Sequence, residues 1–190
     1  YSTPFQLVVS VMLSAQCTDK VVNRVTATLF KRYKTPKDFA AAKPRVFEKE
    51  IGSIPFFRNK TKAIIAAAKL IKKDFKGNVP KTVAELITLP GVAYKTANVV
   101  LGELYGIWEG IPTDTHVKRF AYRFDLVDSK DLTKISKELE VLVPKKDWMY
   151  VNNGLVLYGR YICTARPHEC KDHVLTKIYP PAADIWPKSK

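Results

Sequence analysis

Between positions 89 and 116 the chain reads LPGVAYKTANVVLGELYGIWEGIPTDTH, a stretch whose residue types could together carry covalent chemistry. Pro90 and Gly91 set a tight turn, because a residue before proline avoids the helical region and Gly91 can take a positive φ. Val92 and Ala93 lead from that turn into a helix, so Pro90, Gly91, Val92 and Ala93 form a backbone edge at a helix start. Amide groups there lack partners within the helix and carry the positive end of its dipole, which suits them to hold a phosphate. Lys95 lies within the first turn of the same helix, an amine placed to act as a nucleophile on whatever the turn holds. Asp114, with Thr113, opens the next helix and supplies a carboxylate; His116 follows two positions on.

Each of these residues also has a plainer reading. A lysine in a lysine-rich chain is ordinarily a solvated charge, and Lys95 departs from that default only through its neighbours. An aspartate at a helix start is commonly an N-cap, worth about 1 kcal/mol, although a capping carboxylate can still face a cleft. His116 reads as a hydrogen-bonded structural residue.

The whole chain narrows the partner. Its 32 lysines and arginines against 18 acidic residues give a formal charge of +14, which favours a polyanion. No run of eighteen apolar residues exists, so no membrane partner is expected, and no signal-peptide pattern opens the chain. Tyr1 stands where Met would, and a natural segment is expected to precede it. Cys17, Cys163 and Cys170 are too few and too unevenly placed for a disulfide framework. An intracellular, reducing setting is expected, the cytoplasm or nucleoid, or the nucleus in a eukaryote.

The elements that must position the chemistry read as helices throughout, with no alternating strand pattern. Thr3 caps a helix over 5–13 that begins at Pro4 and is apolar on most sides. Thr18 precedes a second over 19–33, with Val21, Val22, Val25 and Leu29 at helical spacing. Thr35, Pro36 and Asp38 open a short third, and an amphipathic helix spans 59–75. Thr82 and Glu85 form a capping-box match before a very short helix, and the helix after the Pro90–Gly91 turn runs over 93–105. This makes a helix–hairpin–helix over about 83–105. Further helices are predicted from 113 or 114 to 122, over 132–142 and over 147–162, before the pattern decays into a Pro-rich tail.

LPGVAYKTANVV followed by TDTH closely resembles the endonuclease III family, in the helix–hairpin–helix superfamily of DNA glycosylases. The similarity extends through STPFQLVVSVMLSAQCTD, PFFRNKTKAI and NNGLVLYGRYICTARPHEC, and so over most of the chain. The resemblance implies a mostly α, two-lobed glycosylase fold with its cleft between the lobes. One lobe of six helices would span 16–112, and the other would combine 1–15 with 113–190. It implies that Lys95 is a Schiff-base nucleophile, that Asp114 is the essential carboxylate, and that Gln16 and Phe56 are wedges entering the duplex. Core packing is the plainer reading of Phe56. Arg58, Lys60 and Lys62 are candidate phosphate contacts.

The implied activity is base excision with AP lyase β-elimination on oxidised pyrimidines in double-stranded DNA, by a monomer. Uracil or mismatched bases are the alternative substrates, and a non-catalytic DNA-binding module is the alternative class. The family's cluster cysteines, spaced C-x6-C-x2-C-x5-C, reach this chain only as Cys163 and Cys170, with His173 and Tyr179 at the other two positions. Four thiolates normally hold a [4Fe–4S] cluster, so none is expected, and the two cysteines read as remnants. Zinc on Cys163, Cys170, His173 and His168 is the less favoured alternative. The hairpin also carries Ala93 where the family usually has glycine.

Overall fold

The computed structural model describes residues 1–166 and 168–184, and the chain divides into two compact units, Tyr1–Glu109 and Gly110–Lys190. Among the described residues every regular element is helical, as the absence of alternating patterns predicted. The tail beyond 184 lies outside the described residues.

The first unit holds α1 (Pro4–Ser14), α2 (Asp19–Arg32), α3 (Pro36–Ala40), α4 (Pro44–Glu50), α5 (Phe57–Asp74), α6 (Val83–Leu86) and α7 (Tyr94–Tyr105). α1 is its centre, packing on α2, α5 and α7, and it buries Phe5, Leu7, Val8, Val9, Met12 and Leu13. Its Gln6 is buried too, and is satisfied by donating to the carbonyls of Phe30 at 3.3 Å and Tyr33 at 3.0 Å. That pays the cost of burying an amide while fixing the end of α2 against α1.

The contacts therefore group residues 1–15 with the first unit, where the sequence reading assigned them to the second lobe. A helix buried on most sides goes where the apolar surface is, and Phe39, Phe47, Ile64, Ala68 and Leu101 supply it here. Thr35 and Asp38 form a complete capping box on α3, and Thr82 accepts from the Glu85 amide at 3.2 Å to start α6. α4 was not anticipated. Its sequence PRVFEKE buries one large residue, Phe47, and gives no amphipathic repeat to read.

The second unit holds α8 (Thr115–Arg123), α9 (Leu132–Leu142), α10 (Trp148–Tyr161) and the short α11 (Val174–Ile178). α8 packs against α9 and α10. Ile111, Val117, Ala121, Ile135 and Leu139 form one cluster, and Phe120, Tyr158, Cys163 and Cys170 another. No helix among the described residues is long and apolar enough to cross a membrane.

Candidate active site

Gly91 has φ +80°, and a side chain there would press on Ala63 Cβ and Met12 Cε, each at 2.8 Å. Conformation and space both demand glycine at this position. The hairpin thus rests on α5 and α1. Pro90, Gly91 and Ala93 are exposed. Val92 is different: its side chain is buried in the core, and its amide donates to the Leu89 carbonyl at 3.0 Å. The buried side chain anchors the hairpin from behind.

Ala93 is the N-cap of α7 with φ −90° and ψ 171°, and it gives no side-chain cap. Alanine fits because this backbone is extended rather than left-handed, and the helix starts one residue later than the pattern indicated. The start of α7 is a helix N-terminus, whose dipole favours an anion. Lys95 is the second residue of this helix and is exposed. Lower on α7, Gly102 lies against the Trp108 ring, so the segment after the helix folds back onto it.

Gln16 and Phe56 are both exposed and both have left-handed backbones, with φ of 55° and 58°. Only Lys76 and Asp125 share that conformation among the described non-glycine residues. It is unfavourable for a bulky side chain and persists where the surroundings impose it. Phe56 is 61% exposed, which sets aside the core-packing reading. Arg58 is exposed beside the Phe57 ring, and Lys62 is exposed on the same helix, α5.

Lys60, expected on phosphate, turns inward instead. Its ammonium donates to the carbonyls of Leu13 at 2.8 Å and Ala15 at 2.6 Å. Burial lowers its pKa below the usual lysine range. α1 has no basic residue in its last turn, so a cation from α5 serves the carbonyl end of its dipole.

In the second unit Asp114 is the N-cap of α8, its Oδ1 accepting from the amides of His116 at 2.8 Å and Val117 at 3.0 Å. The plainer cap reading therefore holds, and the bonds fix the carboxylate in place. The segment before it is tied down by residues that sequence reasoning missed. Ser136 Oγ donates to the Ile111 carbonyl at 2.7 Å, and Asn152 Nδ2 donates to the Pro112 carbonyl at 2.5 Å. Both donors are buried. A polar residue on the apolar face of a predicted helix was the available signal, but it does not reveal its acceptor. Arg119 donates to the carbonyls of Gly159 and Cys163, bracing α8 against the end of α10.

Cys163 and Cys170 are buried on either side of Arg123, itself 1% exposed. Its guanidinium donates to Cys163 Sγ at 2.8 Å, to Cys170 Sγ at 2.6 Å and to the Ala182 carbonyl at 2.6 Å. Burial pushes the Cys163 thiol up, against the pull of Arg123. Two sulfurs already engaged by a buried cation do not fit a cluster that needs four thiolates. Ligand-capable atoms of Cys163, His168 and His173 do lie within 4.8 Å of one another. Burial and the neighbouring His168 and Arg123 lower the pKa of His173, and Arg123 counts electrostatically against a second cation there.

The HhH-GPD superfamily of base excision DNA repair proteins matches residues 9–145. Endonuclease III of Synechocystis sp. is 44% identical over 182 residues, 96% of this chain and 83% of that protein. Endonuclease III of Bacillus subtilis is 44% identical over 179 residues, 94% of this chain and 81% of that one. The solved structure of a trapped endonuclease III–DNA covalent intermediate has a TM-score of 0.90 and 36% identity, covering 97% of this chain and 86% of its own.

Proposed function

The chain belongs to the endonuclease III family of the HhH-GPD superfamily, and on that premise we propose that Lys95 and Asp114 carry its DNA glycosylase and AP lyase reactions. It is a base-excision-repair enzyme that acts on DNA. We assign it oxidised pyrimidines in duplex DNA, acted on by a monomer inside the cell. The trapped covalent intermediate of a relative supports an enzyme-bound step, and an amine on a phosphate-binding hairpin is the group suited to form it.

In this reading the target nucleotide leaves the stack, with Gln16 and Phe56 entering the duplex. Backbone amides at Gly91, Ala93 and the start of α7 hold a phosphate. Asp114 stabilises the positive charge that grows on the sugar. The Lys95 amine attacks C1′ as the damaged base departs, and loss of the ring oxygen bond gives an imine. The imine acidifies the C2′ proton; its removal expels the 3′ phosphate by β-elimination. Water then releases the sugar fragment and restores the lysine.

No step needs a metal, and we propose that no iron–sulfur cluster is bound; the observation behind this is the Arg123 clamp on Cys163 and Cys170. The single observation carrying the functional reading is the Gly91 hairpin that presents Lys95 in the first turn of α7. Duplexes containing thymine glycol, uracil or a mismatched base, assayed for strand cleavage, test it. Cleavage of the thymine glycol strand with a 3′ unsaturated aldehyde end is expected. Preferred release of uracil or a mismatched base would reassign the substrate, and binding without turnover would leave only a DNA-binding module.

A further inference from the structure

Gln16 and Phe56 are forty residues apart in sequence, yet one residue, Lys60, bonds to both of their loops. Gln16 follows Ala15, the C-cap of α1, and Phe56 is the N-cap of α5. The Lys60 amide donates to the Phe56 carbonyl at 3.0 Å, the first bond of α5. The ammonium of the same residue reaches across to the carbonyls of Leu13 and Ala15, the second of these directly before Gln16. The left-handed conformations at 16 and 56 are thus each bordered by a hydrogen bond from Lys60. Such conformations cost free energy and need surroundings that impose them.

We propose that Lys60 is a positioning residue that locks the two loops together, so that Gln16 and Phe56 enter the duplex as one unit and base extrusion is set by this link. The proposal rests on the reading of Gln16 and Phe56 as wedges. It separates two stages: extrusion depends on Lys60, whereas imine formation and β-elimination, carried by Lys95 and Asp114, do not. Two of the three ammonium donors are spent on these carbonyls, so Lys60 is assigned to the wedges rather than to a phosphate.

Lys60→Met keeps the apolar stem and removes the ammonium. Single-turnover rates would be measured on a thymine glycol duplex, where the base must be extruded, and on a duplex with a preformed abasic site, where extrusion costs least. The expected result is a loss of tenfold or more on the first substrate and less than threefold on the second, with Lys60→Arg restoring most of the first. An equal loss on both substrates would make Lys60 merely structural and overturn the proposal, as would no loss on either. If Lys60→Met does not fold, Lys60→Gln, which retains one donor amide, takes the same two measurements. Gln16→Ala and Phe56→Ala distinguish the underlying reading. If they show no selective loss on thymine glycol, the wedge assignment fails; if they show it and Lys60→Met does not, only the link fails.

Discussion

Asp114 caps α8 and is proposed to serve the reaction as well, and the two jobs can be told apart. As the cap of α8 it satisfies two amides through Oδ1, a contribution of about 1 kcal/mol that asparagine also provides. In the proposed reaction it needs its charge, which asparagine lacks. Asp114→Asn is expected to unfold within a few tenths of a kcal/mol of wild type while base excision falls by about 100-fold or more. Asp114→Ala is expected to lose the same activity and about 1 kcal/mol of stability besides. Chemical denaturation and single-turnover kinetics on both variants check this; full activity in Asp114→Asn would leave Asp114 as a cap alone. This residue was legible in the sequence because capping is local chemistry written into neighbouring positions. Lys60 was not: its acceptors lie more than forty residues away, on a helix end that only tertiary packing brings near.

At the scale of elements, the hairpin depends on Gly91 for both its φ of +80° and its fit against Ala63 and Met12. Gly91→Ala should therefore destabilise the protein by on the order of 2 kcal/mol, from left-handed strain together with overpacking. Phosphate binding should weaken with it as the turn moves off α1 and α5. A shifted denaturation midpoint with weaker binding to abasic duplex DNA is the expected outcome, and an unchanged midpoint would contradict the packing argument. The hairpin itself was readable, since Leu89-Pro90-Gly91 breaks one helix and an apolar repeat begins another. The turns presenting Gln16 and Phe56 were harder. Neither position carries the glycine or asparagine that signals a left-handed residue, and tertiary contacts impose the conformation. α4 and α11 escaped notice because five to seven residues with one buried side chain each produce no periodicity.

Across the molecule, the residues proposed for the reaction are present, while two of the four cluster cysteines are absent and the other two bond to an arginine. Arg123 ties α8 to both cysteines and the Ala182 carbonyl, and on the proposal made above these hydrogen bonds stand where metal–sulfur bonds would. Purified protein should be colourless, with iron far below four atoms per chain by elemental analysis; brown protein with iron near four would contradict this. The missing cysteines were plain in the sequence, but the bonds from Arg123 to the remaining two were not, because nothing near Arg123 in the chain marks it as buried. The most direct measurement is borohydride trapping on duplex DNA containing thymine glycol or an abasic site, followed by peptide mapping of the adduct. A covalent protein–DNA product on Lys95, lost in Lys95→Ala, is predicted. No adduct with the wild type, or an undiminished one with Lys95→Ala, would contradict the account.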